Sequence, residues 1–168
     1  DERFHAERLK KLMSNERRIE ALAETGVDVV VVLPFTAEFS SQEPSAFLDA
    51  LFKGAVPYAM HVGSDFRFGA RAAGTVADLE AWGARDGMHV CAHDLKSADG
   101  RPITATRIRL LLADGECEQA CALLGHPYVF EGAVLKGRGE GTDMGFATAN
   151  ISLPSMMQVL GEAVYAAY

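Results

Sequence analysis

Within the stretch Arg101-Pro102-Ile103-Thr104-Ala105-Thr106-Arg107-Ile108-Arg109-Leu110-Leu111-Leu112, residues 104–109 gather two hydroxyls and two guanidinium groups within about two helical turns. Pro102 disfavours helix in the residue before it, so Pro102 and Ile103 read as the end of an extended segment. Thr104 is then placed to cap a helix over 105–113, accepting one of the N–H groups that the first turn leaves without a partner. Free N–H groups, the positive end of the helix dipole and the forks of Arg107 and Arg109 make an anion site, and phosphate is the obvious anion. The competing reading is a capped surface helix with solvated arginines.

Two further stretches carry chemistry. Gly63-Ser64-Asp65-Phe66-Arg67-Phe68-Gly69 sets two phenylalanines around an arginine between glycines. Exposed aromatics there suit a planar ring, and Asp65 suits a ring N–H or a ribose hydroxyl. Alternatively both rings pack inward and Asp65 caps a turn. The glycine-rich run at 137–145, which includes Gly137 and Gly145, is followed by Thr148-Ala149-Asn150. Glycines let backbone N–H groups approach phosphate. A threonine hydroxyl and an asparagine carbonyl are suitable oxygen ligands for Mg²⁺. The alternative is a hairpin loop. His89, Cys91 and His93 alternate on one strand face, where a metal and an ordinary half-buried face compete. Cys117 and Cys121, one helical turn apart, read as core. No Ser–His–Asp arrangement is present.

The elements that must position these residues follow from periodicity and caps. Helices are expected over 14–25, 44–53, 75–84, 105–113 and 116–124. The apolar run at 27–33 reads as a strand buried on both faces of a parallel sheet, with further strands over 57–62 and 88–93. Residues 97–100 form a turn. After Gly125-His126-Pro127 the texture turns β-like, with strands at 128–135 and 163–168. The boundary falls there: an α/β domain over 1–125 and the opening of a β domain over 126–168. Strand–helix alternation predicts a doubly wound parallel sheet, and ligands of such sheets lie beyond the carboxyl ends of the strands. The loops at 33–36, 63–69 and 104–109 all follow strand ends, so they are expected on one edge around an anionic, partly aromatic ligand.

Bulk properties narrow the partners. Of 168 residues 49% are apolar, enough for a core, and no run approaches a membrane span. The net charge of −7 argues against nucleic acid and anionic membrane surfaces but leaves room for a nucleotide. Three cysteines fit a reducing cytoplasm rather than a disulfide framework. The sequence does not specify an oligomeric state.

Taken in order, these segments resemble bacterial FAD synthetase, the bifunctional riboflavin kinase/FMN adenylyltransferase. The resemblance rests on four segments. Residues 12–19 with Gly26-Val27-Asp28 and Leu33-Pro34-Phe35-Thr36 resemble the family's central helix and strand. The 63–69 loop resembles its flavin-side loop. Ile103-Thr104-Ala105-Thr106-Arg107-Ile108-Arg109 resembles its Ile-Ser-Ser-Thr-x-x-Arg motif. Leu124-Gly125-His126-Pro127-Tyr128 with Gly145-Phe146-Ala147-Thr148-Ala149-Asn150 resembles the linker and the Pro-Thr-Ala-Asn motif of the kinase module. The resemblance implies a Rossmann-like nucleotidyltransferase domain followed by the start of a β-barrel riboflavin kinase. It implies ATP, FMN and riboflavin as substrates and Mg²⁺ as cofactor. Thr104, Thr106 and Arg109 would face the leaving pyrophosphate, with Ala105, Arg107, Gly137 and Gly145 in the ATP-binding set. Phe35, Asp65, Phe66 and Phe68 would surround the flavin, and Thr148 and Asn150 would serve Mg²⁺.

Several positions depart from the family. Its first nucleotide motif, Gly-Phe-Asp-Gly-x-His-x-Gly-His, is absent and is expected upstream; the kinase glutamate is expected beyond Tyr168. Ala105 replaces the second serine, Thr142 stands where arginine is usual, and Ala147 replaces proline. Two other readings therefore stand beside an active enzyme. One is a non-catalytic flavin- or nucleotide-binding paralogue. The other is a cytidylyl- or adenylyltransferase with a different acceptor, against which the 145–150 motif argues.

Overall fold

The computed structural model describes residues 10–137, 145 and 148–167. The chain forms two compact units: residues 31–102, and residues 1–30 together with 103–168.

In the 31–102 unit, α2 (Ala37–Ser40) is capped by the Thr36 hydroxyl, and α3 (Pro44–Leu51) opens on its proline. β1 (Ala59–Gly63) pairs in parallel with β2 (His89–His93), in the register Ala59↔His89 through Gly63↔His93. α4 (Val76–Gly83) makes the crossover between them. Its start is fixed by a complete capping box, with Asp78 N donating to Thr75 Oγ1 and Thr75 N donating to Asp78 Oδ2. The Thr75 hydroxyl also donates to that carboxylate, which holds Asp78 below the usual carboxylate range. The core joins Phe47 and Leu48 of α3, Leu79 and Trp82 of α4, Phe68 and Met88, with Met60, Val62 and Val90 of the sheet packed on it. A tight hairpin, β3 (Ser97–Ala98) and β4 (Arg101–Pro102), closes the unit. Asp99 and Gly100 turn it at φ 54° and 69°, the conformation that two-residue hairpin loops demand.

In the other unit, α1 (Asn15–Glu24) is capped by Ser14, whose hydroxyl accepts from Arg17 N. α5 (Ala105–Ala113) and α6 (Cys117–Leu124) form a helical hairpin around Ile108, Leu112 and Ala120. Gly125 ends α6 in the left-handed conformation at φ 78°. β5 (Ala133–Leu135) and β6 (Asn150–Ser152) pair antiparallel. Residues 156–161 run as a strap. Lys11 bridges Met157 in parallel, Tyr128 donates to the Gln158 carbonyl and Gly161 N donates to the Leu112 carbonyl. Gly161 is needed for that approach, because a Cβ there would lie 2.5 Å from the Ala113 carbonyl.

The structure corrects three expected strands. Residues 27–33 form no strand, and Val29, Val31 and Val32 are at least 70% exposed. A strand needs a neighbour for its peptide groups, and among the described residues β1 and β2 pair only with each other. The strand expected over 128–135 shrinks to Ala133–Leu135. Tyr128 is drawn out of the ladder, its N–H against Cys121 Sγ and its hydroxyl on Gln158. Among the described residues no strand forms at 163–167; Tyr165 folds back to donate to the Gly161 carbonyl. The result is a mixed α/β chain with a small parallel sheet.

Candidate functional site

The Thr104 helix start forms as its residues dictate. Thr104 stays extended (φ −130°, ψ 153°), its hydroxyl accepts from Arg107 N at 3.1 Å, and its carbonyl takes the first helical bond from Ile108. Capping uses the third-residue donor and leaves the N–H groups of Ala105 and Thr106 as the remaining donors of the first turn. Both residues are exposed, while Arg107 and Arg109 are half-buried. Arg109 Nε donates to the Lys10 carbonyl at 2.6 Å, which fixes one side of its fork. On the inner face Ile108 and Leu112 anchor the helix, so its polar start is held by apolar packing one turn on.

In the 31–102 unit the 63–69 loop leaves the end of β1 through a turn in which Phe66 N donates to the Gly63 carbonyl at 2.9 Å. Ser64 N donates to the His93 carbonyl, tying the loop to the end of β2. Asp65 is exposed and its carboxylate folds back over Gly63, where a Cβ would lie 2.7 Å from Oδ1. The two phenylalanines part company. Phe68 is 5% exposed in the core, bridged to Gly74 by two backbone bonds, and its ring occupies the space a Cβ at Gly74 would need. Phe66 is half-buried and stacks on Phe68 at 5.7 Å. An inward Phe68 follows from apolar burial, which a ring of this size gains most fully between two helices.

A file of rings joins the expected aromatic residues. Phe35 meets Phe39 edge-on at 5.7 Å, Phe39 meets Phe47 at 4.8 Å, and Phe47 meets Phe68 at 6.0 Å, with Phe66 beyond. The unit thus connects Phe35 to Phe66 through half-buried Phe39 and buried Phe47 and Phe68, with exposed or half-exposed rings at both ends. Phe39 and Phe47 are the members outside the expected flavin set, and of the two Phe39 was open to inference. Its signal was the Thr36 cap, which starts a helical turn and sets Phe35 and Phe39 one turn apart.

In the other unit, Leu135 pairs with Asn150, and the Asn150 side chain lies where a Cβ at Gly137 would be. Thr148, Asn150, Gly137 and Gly145 are exposed, and Gly145 takes φ 83°. Thr142 and Ala147 lie outside the described residues. Cys117 and Cys121 are half-buried free thiols, and burial pushes the Cys117 thiol up, as befits core cysteines. Clefts open among the described residues of each unit. One of about 410 Å³ lies between α3 and α4, lined by Pro44, Leu48, Phe68, Trp82 and Arg85. The other, of about 460 Å³, is lined by Met13, Arg17, Val129, Glu131 and Met157. Of the expected site residues only Phe68 lines either cleft.

Comparison with known proteins decides the family. A family model described as FAD synthetase matches residues 2–107. The chain belongs to the FAD synthetase family. A second model, described as riboflavin kinase, matches residues 124–168. The chain is 34% identical over 163 residues to the bifunctional riboflavin kinase/FMN adenylyltransferase of Listeria monocytogenes, covering 94% of this chain and 50% of the relative. It is 34% identical over 144 residues to the enzyme of the same name from Escherichia coli K12, covering 85% and 46%. With the Haemophilus influenzae enzyme it shares 33% over 157 residues, covering 93% and 51%. This FAD synthetase family chain therefore spans about half the length of the curated relatives it matches. A crystal structure described as a macrolide-efflux protein from Streptococcus pneumoniae superimposes with a TM-score of 0.78 at 27% identity, covering 89% of this chain and 48% of that one. That likeness shows the fold. Among the described residues no helix is long and apolar enough to cross a membrane.

Proposed function

We propose that the full-length protein makes FAD in two steps, phosphorylating riboflavin to FMN and adenylylating FMN. The observation that carries this is the tandem match, FAD synthetase over 2–107 and riboflavin kinase over 124–168, in one chain. The gap between the two matches supports a boundary between a Rossmann-like nucleotidyltransferase domain at 1–125 and the start of a riboflavin kinase barrel at 126–168.

In the adenylyl transfer the FMN phosphate attacks the α-phosphorus of ATP and pyrophosphate leaves with the electron pair of the broken P–O bond. Such in-line displacements need positioning and charge neutralisation more than covalent chemistry. The first-turn N–H groups of Ala105 and Thr106, the Thr106 hydroxyl and the Nη groups of Arg109 suit the leaving pyrophosphate, with Arg107 beside them. Asp65, Phe66 and Phe35 offer a carboxylate and ring faces to the flavin, and Phe68 serves as the anchor that fixes Phe66. In the kinase, the riboflavin 5′-hydroxyl attacks the γ-phosphorus of ATP, the bond to the bridging oxygen breaks, ADP leaves with that electron pair, and the hydroxyl proton is released to solvent. The Thr148 hydroxyl and Asn150 carbonyl are hard oxygen donors at the exposed start of β6, which fits Mg²⁺ that keeps most of its waters. Bound there with ATP, Mg²⁺ supplies charge neutralisation at the phosphates. The Gly137 and Gly145 backbones suit close approach of ATP. The setting is a reducing cytoplasm, with small molecules rather than nucleic acid or membrane as partners.

Exposed Ala105, where the family motif has serine, favours a second reading: a flavin- or nucleotide-binding paralogue without turnover. One assay separates the two. The full-length protein is incubated with Mg·ATP and riboflavin or FMN, and the flavins are separated by chromatography. FAD from FMN and FMN from riboflavin are expected. Flavin binding without either product would establish the paralogue.

A further inference from the structure

The outer face of the parallel sheet carries an arrangement that flavin chemistry does not use. Residues alternate along β1 and β2. Met60, Val62 and Val90 turn to the core, so His61, Cys91 and His93 turn the other way. In the observed register His61 lies beside Cys91 and Gly63 beside His93, which puts the two imidazoles on neighbouring strands one step apart. Their rings stack at 5.1 Å with an interplanar angle of 12°, and His61 Nδ1 lies 2.8 Å from His93 Nε2. Both histidines are exposed. His89, on the same face, turns instead to Tyr58, with ring centroids 5.1 Å apart.

We propose that His61 Nδ1 and His93 Nε2 form a two-imidazole site for a divalent transition metal of the Ni²⁺ type. Imidazole nitrogens suit Ni²⁺, Cu²⁺ and Zn²⁺. Two nitrogens bound at about 2.1 Å in adjacent positions of a square or octahedral sphere stand about 3 Å apart, close to the separation already present. The strand backbones supply that spacing, so metal binding needs rotation of rings rather than movement of the chain. Each imidazole keeps one proton when neutral. A proton shared between the two near nitrogens would move to the far nitrogen of its own ring, leaving both near nitrogens as lone-pair donors. Among the described residues no third His, Cys, Asp or Glu completes a metal-holding group. The remaining positions therefore go to water, and the site is an open one. Bound metal would clamp the ends of β1 and β2 together, next to the Ser64 N–H that ties the 63–69 loop to the His93 carbonyl.

The test is calorimetric titration of Ni²⁺ into the untagged full-length protein, reduced, at neutral pH, with thermal melting alongside. One saturable Ni²⁺ per chain is expected at this site, with a rise in melting temperature on binding. His61→Ala and His93→Ala should each weaken binding roughly tenfold or more, because each removes the intramolecular second ligand. The double variant should be little worse than either single one. His89→Ala, Cys91→Ala and His126→Ala should leave the affinity within about twofold, since none supplies a ligand here. If an alanine variant melts early without metal, His61→Gln and His93→Gln take its place. No saturable binding, unchanged affinity in both histidine variants, or an equal loss in the His89 or Cys91 variants would overturn the proposal.

Discussion

The 63–69 loop and the 104–109 helix start are held by opposite means. The loop is placed by burial: Phe68 goes into the core beneath α3 and α4, Gly74 makes room for its ring, and Phe66 rides on top. The helix start, anchored one turn on by Ile108 and Leu112, is set by single hydrogen bonds, the Thr104 hydroxyl on Arg107 N and Arg109 Nε on the Lys10 carbonyl. A loop fixed by burial responds to changes in volume, and a helix start fixed by caps responds to changes in single polar atoms. Mutations that look alike should therefore have unlike consequences in the two places.

The largest contrast should come from the two phenylalanines. Phe68→Ala is expected to cost about 3–5 kcal/mol in chemical denaturation, whereas Phe66→Ala should cost about 1 kcal/mol. Flavin affinity, read by fluorescence quenching, should fall in the Phe66 variant while its fold persists. Equal stability losses would show that the loop is not anchored through Phe68. Next in size is Arg109→Ala. If its Nη groups meet the pyrophosphate, kcat/KM for FAD formation should drop about 10²–10³-fold with a small change in melting temperature. A melting temperature that collapses instead would assign Arg109 to the Lys10 contact.

Caps should matter less, and locally. Thr104→Ala is expected to lower stability by about 1 kcal/mol and to weaken ATP binding with it, whereas Thr75→Ala should lower stability alone. Ala105→Ser tests the departure from the family motif. Restoring the hydroxyl should tighten ATP binding by about 1 kcal/mol, roughly fivefold in the dissociation constant by competition titration. The smallest effect concerns acid. Asp78 is held below its ordinary range chiefly by the Thr75 hydroxyl, so its contribution is present above the unfolded pKa and is lost as pH falls through the folded one. Asp78→Asn should flatten that acid limb of the melting curve and leave the neutral-to-alkaline limb unchanged in shape.

What the sequence made legible divides along the same line. Ser14, Thr75 and Thr104 were readable as caps because a cap depends on residues three positions away, and all three form. α5 and α6 were legible as helices, near the bounds expected at 105–113 and 116–124. The run at 27–33 was not, because its apolar residues carry no information about whether a neighbouring strand is there to pair with. The split between Phe66 and Phe68 was equally hidden, since an aromatic on a loop is written the same way whether it faces a ligand or the core. The His61–His93 contact arises from strand register across 32 positions, which no local pattern encodes. For the Thr104–Arg109 motif, type and spacing were legible, but the Lys10 carbonyl on Arg109 comes from a segment 99 positions away.

The Lys11–Met157 bridge has a consequence in time as well as in space. Its two sides lie near opposite ends of the described chain, and the unit they close is interrupted by the whole of residues 31–102. On a ribosome the inserted unit is synthesised without a break and has every residue of its core in hand once residue 102 has emerged. The discontinuous unit must hold Lys11 in waiting until Met157 and Gly161 appear. The helix that carries the Thr104 motif is made after Leu12 of its own core, and it receives its last backbone partner, the Gly161 N–H on Leu112, only near the end of synthesis of this stretch.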